Sequence, residues 1–481
     1  MRLQLFQVFE YNFTGRIPER RGIRPQKQKS VCISTNATTF NVTTNVTTFI
    51  DAHKGAPHIL NTSDNYNNTD STYDAAYIRG ENFQGCRKHI DTAALIHNYR
   101  LLCDNVSSAS PGTVCASVVK ADAYGHGIDI CVPALYSAGC RFFIVATLGE
   151  ALKAKAALPS EATDAEILIL EYTSPERAPV LSENGFSQSV FSEDYARELN
   201  RYSSGGRIRV HIKIDTGMNR LGLSCFDGSE EHIAALFGEC PGLEVCGIFS
   251  HIFEPCDASR LLAQYESFTG VCDRLERLGF NLGMRHICAS DGIFTVISEH
   301  EKCKASCPED ICREGIGGKK PLLDAVRLGI ALYGYSGADA DRFPSLKKLV
   351  PVMTFLGTVE AVHTAASGET VGYGGDYLAV GDRRIATVCG GYADGVLRVY
   401  SGEYVRVITD GGIYAVPICG RICMDAFMTD VTELPPEVSV SVGDRVIIFG
   451  SDDGESLRRL AKKAGTIEYE CLTSARDDRW K

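Results

Sequence analysis

The sequence predicts an α/β protein: a parallel barrel of eight strands alternating with helices over residues 85–336, followed by a mainly β domain over 345–481. Three observations carry that prediction. First, short apolar runs recur at 114–120, 141–147, 165–171, 187–191, 208–214, 244–250, 284–289 and 324–330, with helical patterns between most of them. Strands joined by helices pair in parallel, because such crossovers return the chain to the same end of the sheet, and eight is the number that closes a β/α barrel. Second, no dinucleotide fingerprint follows the first strand, which disfavours an open doubly wound sheet. Third, after Gly334 the helical periodicity gives way to short strands at 351–362, 384–390, 403–409, 412–419 and 445–449, separated by glycine turns. Strands without intervening helices indicate a compact β domain, here closed by a helix at 455–464.

Taken in order, residues 1–84 stand apart. The segment from Thr35 to Thr72 is rich in Asn, Thr, Ser and Asp, and it cannot bury enough apolar surface to offset the entropy of ordering. Asn-x-Ser/Thr triplets at Asn36, Asn41 and Asn45 arise readily in such composition. Met1 to Phe9 and the basic residues from Arg16 to Lys29 make neither a clean secretory signal nor a clear transit peptide. A disordered or atypical extension is the expectation. From Cys86 the pattern changes. Asp91 stands before Ala93, Ala94, Leu95 and Tyr99 and reads as the cap of an amphipathic helix. Further helices are predicted at 149–157, 175–184, 192–202, 229–238 and 258–278. Residues 297–322 break the rhythm; charged and rich in Cys, Pro and Gly, they predict a long loop between strands seven and eight.

Composition narrows the function. Hydrophobic residues make up 44% and charged residues 23% of 481, enough for a large core. A net charge of −11 argues against general nucleic-acid binding, which needs basic surface. No apolar run reaches membrane-spanning length. The 19 cysteines are scattered without a disulfide framework. Several, such as Cys115, Cys246, Cys288 and Cys389, fall inside predicted elements, where a free thiol acts as a small hydrophobe. A reducing compartment, the cytoplasm, is expected. Cys303, Cys307 and Cys312 lack a C-x-x-C pair, so no metal site is expected.

In a β/α barrel, chemistry gathers at the C-terminal ends of the strands. Lys120, the segment Asp215 to Arg220, His251, Ser290 and Arg327 all fall at or near those ends. A lysine at the end of a buried strand is costly in its charged form; its pKa drops and it becomes a base or a nucleophile toward carbonyls. Gly125 and Gly127 allow a tight turn beside it.

The stretch Val119-Lys120-Ala121-Asp122-Ala123-Tyr124-Gly125-His126-Gly127 resembles the pyridoxal-phosphate attachment signature of alanine racemases. By that resemblance Lys120 carries the cofactor and Tyr124 reaches its phosphate, with Ser290 and the backbone near Gly329 and Ile330. Val326-Arg327-Leu328-Gly329-Ile330 is similar to the family segment whose arginine faces the pyridine nitrogen. His251 resembles the histidine that stacks on the ring or bonds to that arginine. Val371-Gly372-Tyr373-Gly374 resembles the β-domain motif whose tyrosine serves the opposite face, in the site of the other subunit. Racemisation needs acid/base groups on both faces of the reacting carbon, and a tyrosine needs a nearby cation to act near neutrality. The stretch from Lys213 to Gly222 resembles the motif whose arginine, here Arg220, holds that tyrosine near the substrate carboxylate. Gly391-Tyr392-Ala393-Asp394-Gly395 and Gly420-Arg421-Ile422-Cys423-Met424-Asp425 also match family motifs. They imply Tyr392 on the substrate's way in, a Met424 amide at its carboxylate, and Asp425 beside it.

The resemblance thus implies a homodimer with shared sites that interconverts L- and D-alanine, typically supplying D-alanine for peptidoglycan. Two departures stand out. Cys288-Ala289-Ser290 lacks the family's asparagine, and the tail from Ala475 to Lys481 carries no tyrosine for the phosphate. They keep a serine or dual alanine/serine racemase, and a catalytically impaired homologue, as alternatives. A fold-related decarboxylase and a single-barrel cofactor carrier are disfavoured by the β-domain motifs.

Overall fold

The structure is a computed structural model. It describes residues 85–477 apart from 204–205, 225–228, 307–319 and 453, together with two short strands, Val31–Thr35 and Thr38–Val42. These two strands pair antiparallel. The remainder of residues 1–84 lies outside the described residues.

The eight apolar runs form eight parallel strands: Val114–Val118, Phe142–Val145, Glu166–Ile169, Ser187–Val190, Ile208–Asp215, Leu243–Phe249, Met284–Ala289 and Ala325–Leu328. Each pairs with the next, and the eighth returns to the first with Ala325 opposite Val114, so the barrel closes. Helices cover the outer face while the interior is packed, so a strand such as Phe142–Val145 is apolar throughout; Phe142, Phe143, Ile144 and Val145 are all buried.

The helices start where their caps place them. Asp91 accepts hydrogen bonds from the Ala93 and Ala94 amides, at 2.8 and 2.9 Å, and opens Thr92–Ala109. Thr147 and Glu150 form a capping box at Leu148–Ala157. Asp257 caps Ala258–Arg277, whose buried stripe runs through Leu261, Tyr265, Phe268, Cys272 and Leu275. Apolar residues three and four apart lie on one side of a helix and seal it to the barrel.

The expected loop at 297–322 is corrected. A helix, Ser290–Ser306, occupies its first part. Ile293, Phe294, Val296, Ile297 and His300 bury one side of it, and the charges from Glu299 onward are its solvent side. Residues 307–319, with Cys307 and Cys312, lie outside the described residues.

The second sheet has seven antiparallel strands in the order Arg383–Cys389, Ala426–Asp430, Gly412–Cys419, Tyr404–Thr409, Arg445–Phe449, Met353–Ala365 and Arg87–Ile90. Met353–Ala365 also pairs with Arg383–Cys389, closing six of them into a small barrel. The last strand is notable: Arg87–Ile90 precedes the barrel in the chain yet pairs with Met353–Leu356. The chain therefore joins the second sheet before it enters the first. Helices Glu455–Ala464 and Glu468–Ser474 complete the described fold.

Candidate active site

The first barrel strand stops at Val118, and Lys120 begins a turn rather than ending the strand. The next four residues, Ala121, Asp122, Ala123 and Tyr124, all have φ between 53° and 56°. A non-glycine residue in this left-handed region costs about 1–2 kcal/mol, so the surroundings must hold the turn. His126 Nδ1 lies 2.9 and 3.0 Å from the carbonyls of Ala123 and Tyr124; as both partners are acceptors, Nδ1 carries the proton. Burial holds this imidazole down at about 3. Lys88 donates to the Gly125 carbonyl at 2.7 Å, and the Asp122 carboxylate accepts from the Ile128 amide at 3.0 Å. Strain of this kind gathers at functional sites, where it aims a side chain. Here it aims Lys120, whose pKa is lowered by burial and by the charge of Arg220.

Beside the lysine, strands seven and eight end in a polar cradle. Ser290 opens the helix Ser290–Ser306, and a helix N-terminus favours an anion. Its hydroxyl accepts from the amides of Gly329 and Ala331 at 3.0 and 3.4 Å. A Cβ on Gly329 would stand 3.0 Å from the Tyr124 hydroxyl and 3.4 Å from Ser290 Oγ. The space framed by the two hydroxyls is thus kept clear by the missing side chain. Ile330 continues from this point into the turn Ile330–Tyr333.

Arg327, buried on strand eight, is held on all sides. Nη1 donates to His286 Nδ1 at 2.8 Å and to the His286 carbonyl at 3.3 Å. Nη2 donates to the carbonyls of Ser250 and Ile287, at 2.8 and 2.7 Å, and to His251 Nδ1 at 3.2 Å. Burial lowers the guanidinium to about 10, which still leaves it charged at neutral pH. His251 is pushed well below its ordinary value by burial and by Arg327, so it faces Arg327 as a neutral acceptor.

After strand five, Asp215 accepts from the Gly217 and Asn219 amides at 2.9 and 3.1 Å and folds the loop that carries Arg220. The Arg220 charge depresses Lys120, Lys213 and His251 alike. The structure therefore brings Lys120, Tyr124, Arg220, His251, Ser290, Arg327, Gly329 and Ile330 to one end of the barrel.

The remaining candidates form a second group on the β domain. Gly391 packs so closely that a Cβ there would lie 2.2 Å from the Met424 carbonyl. The Tyr392 and Ala393 amides bond to the Cys423 and Met424 carbonyls, both at 3.1 Å. The turn Tyr373–Gly375 rests on the Arg421 guanidinium, which Asp376 pairs. Tyr373, Tyr392, Met424 and Asp425 are all exposed. Tyr373 is 70% exposed, and no described hydrogen bond or ion pair joins it to Lys120 within the chain.

Several residues went unseen in the sequence. Tyr469, in Glu468–Ser474, lies with its ring 5.7 Å from that of Tyr124. A tyrosine does approach the cradle, then, although the tail beyond Ala475 has none; it comes from a helix for which no pattern was read. Lys213, within the stretch from Lys213 to Gly222, is buried with its amine lowered to about 7 by burial and by Arg327. His211 and His286 sit inside apolar strands, where a lone histidine passes as packing.

A fixed cation, a depressed lysine and a hydroxyl-framed cradle at a helix N-terminus suit a phosphorylated aromatic carbonyl compound, and pyridoxal phosphate fits this donor set. Comparison with known proteins gives the family. The family model described as alanine racemase, N-terminal domain, matches residues 90–337, and alanine racemase, C-terminal domain, matches 352–480. Alanine racemase 2 of Caldanaerobacter subterraneus subsp. tengcongensis is 33% identical over 391 residues, covering 80% of this chain and 91% of that protein. The alanine racemase of Desulfovibrio desulfuricans is 34% identical over 396 residues, 80% of this chain and 95% of its own. Among solved structures, the alanine racemase from Bacillus anthracis with bound L-Ala-P superposes with a TM-score of 0.67 at 27% identity, covering 82% of this chain and 94% of that one. That of Streptomyces coelicolor A3(2) gives 0.68 at 29%, covering 82% and 96%.

Proposed function

The chain belongs to the alanine racemase family, and from that premise we propose that it interconverts L- and D-alanine with pyridoxal 5'-phosphate at the barrel mouth. The observation that carries the proposal is the convergence there of Lys120, the Tyr124–Ser290–Gly329 cradle and the buried Arg327. When bound, the cofactor supplies a carbonyl carbon that joins an amine and a ring that draws electron density from the bond to the α-hydrogen.

The protein's part follows from its side chains. Lys120 is the attachment amine, with burial raising its neutral fraction. Tyr124, Ser290 and the backbone at Gly329 and Ile330 hold the phosphate. Arg327 would face the ring nitrogen; a guanidinium keeps its protons at neutral pH, so it would leave that nitrogen unprotonated and restrain side reactions that need a stronger electron sink. His251 accepts from Arg327 as a neutral ring. Lys120 holds or returns the proton on one face of the substrate carbon, and Tyr373 of a second copy does so on the other. Arg220 orients that tyrosine and the substrate carboxylate. The Met424 amide, Asp425 and Tyr392 complete the substrate's surroundings from the same second copy. Exposure of the whole β-domain group supports a homodimer with shared sites, since a two-fold assembly seats such a face twice. The product would be D-alanine, typically destined for peptidoglycan. Among the described residues no helix is long and apolar enough to cross a membrane.

The test is direct. Purified protein given pyridoxal phosphate and L-alanine is expected to form D-alanine in an oxidase-coupled assay specific for D-amino acids, with L-serine as the second substrate arm. Neither D-alanine nor D-serine, despite a borohydride-reducible cofactor, would sink the proposal.

A further inference from the structure

A chain of hydrogen bonds runs through the barrel core from the catalytic mouth to the opposite one. Arg327 Nη1 meets His286 Nδ1 at 2.8 Å, His286 Nε2 meets His211 Nδ1 at 3.0 Å, and His211 Nε2 meets Glu166 Oε1 at 3.4 Å. The four residues come from strands eight, seven, five and three. Glu166 is the first residue of its strand and Arg327 lies near the end of its own, so the chain crosses the barrel along its axis. Both histidines are fully buried.

The two ends dictate the direction. A guanidinium only donates and a carboxylate only accepts. Arg327 therefore makes His286 Nδ1 an acceptor, which puts the His286 proton on Nε2. That proton makes His211 Nδ1 an acceptor in turn, and the His211 proton goes to Nε2 and points at Glu166. Every link then has one donor and one acceptor, with both imidazoles neutral. Desolvation and the Arg327 charge hold His286 well below its ordinary value. At the far end, burial pushes the Glu166 carboxyl up, but His211 and Arg209 outweigh it and hold it at about 2. Arg209 lies 3.0 Å and Ser187 Oγ 2.9 Å from the same carboxylate oxygen.

The surroundings are shaped to this chain. A Cβ on Gly247 would stand 2.4 Å from His211 Nδ1, so glycine makes room for the ring. The Phe249 ring lies parallel to His286 at 4.9 Å, and Phe142 closes the edges of both imidazoles. Two neutral histidines among apolar rings are a costly way to fill a core, and an unbroken polar chain is what justifies them.

We propose that Glu166, His211 and His286 form a directional relay that fixes the orientation and donor polarity of Arg327, making Glu166 a positioning residue for the reaction at the far mouth. The inference rests on the racemase reading for its kinetic consequence and on geometry alone for the relay. The carboxylate is essential to it. Without Glu166 the buried His211 Nε2 proton would lose its acceptor, at a cost of about 1–3 kcal/mol, and moving that proton to Nδ1 would set two donors against each other at the His286 link. One link must then break, and Arg327 loses its acceptor or its orientation.

The test has two readouts. In the cofactor-stripped full chain with nitrogen-15 histidine, His286 and His211 are expected to show a protonated Nε2 and an unprotonated Nδ1. Glu166→Gln, which keeps the acceptor, should retain that pattern; Glu166→Leu should lose it; Ser187→Ala, outside the relay, should not alter it. With cofactor, Glu166→Leu should lower kcat for alanine by about tenfold or more while KM stays within about twofold, and Glu166→Gln should recover most of the loss. A proton on His286 Nδ1 in the wild-type protein overturns the proposal without any variant. So does a Glu166→Leu protein with unchanged tautomers and kcat. An inactive wild-type protein with the expected tautomers would instead sink the racemase reading and leave the relay standing.

Discussion

Two lysines face the barrel mouth, and their chemistry differs although both are depressed. Lys213 is buried, donates to the Ile214 carbonyl at 2.8 Å and sits over the Phe249 ring. Lys120 is only half-buried, at the start of the strained turn. Borohydride reduction of the cofactor-loaded protein followed by peptide mapping should therefore place the label on Lys120; a label on Lys213 would reverse the assignment. Lys213 has a thermodynamic signature of its own. Its folded value of about 7 lies below the ordinary 10.5, so between those pH values the unfolded chain holds a proton that the folded one lacks. Stability then rises with pH across that window. Urea midpoints from pH 7 to 10 should climb less steeply in Lys213→Met than in the wild type; equal slopes would show that the amine is not depressed. Lys120 was legible because a charge at the end of an apolar run is conspicuous. Lys213 was not, because its burial depends on Arg327 and Phe249 closing over it from other strands.

The left-handed turn shows where element reading stops. Gly125 and Gly127 signalled a tight turn, but Ala121, Ala123 and Tyr124 have no preference for positive φ, and it takes contacts from His126, Ile128 and Lys88 to hold them there. Gly125 itself has φ +82°, and a Cβ there would lie 2.5 Å from the Leu472 carbonyl. That contact clamps the helix bearing Tyr469 to the turn bearing Lys120 and Tyr124. Gly125→Ala should destabilise the protein by about 2 kcal/mol or more, read as a lower denaturant midpoint; an unchanged midpoint would mean that the clamp is loose. The helix at Ser290–Ser306 was obscured for a different reason, since its charged solvent side begins where its apolar side is still running. Arg87–Ile90 escaped notice because a strand held by backbone pairing at a sheet edge needs no apolar run.

Across the whole molecule, the eight strands could be read because short apolar runs recur between helical patterns, a consequence of being wrapped by helices outside and packed inside, although Ser187–Val190 and Ile208–Asp215 carry polar side chains within theirs. The closure of the second sheet could not, because it depends on pairings such as Thr358 with Cys389, and its edge strand on residues as far apart as Leu356 and Arg87. The site candidates divide in the same way: the barrel group converges within one chain, whereas Tyr373 stands 70% exposed on the β domain. A second copy of the chain is required to unite them. The most direct test is a heterodimer of Lys120→Ala and Tyr373→Phe chains, co-expressed with two affinity tags and purified through both. One of its two sites would have both residues intact and the other neither, so about half of the wild-type racemase activity is predicted, with each parent homodimer nearly inactive. A heterodimer no more active than its parents would contradict the shared site.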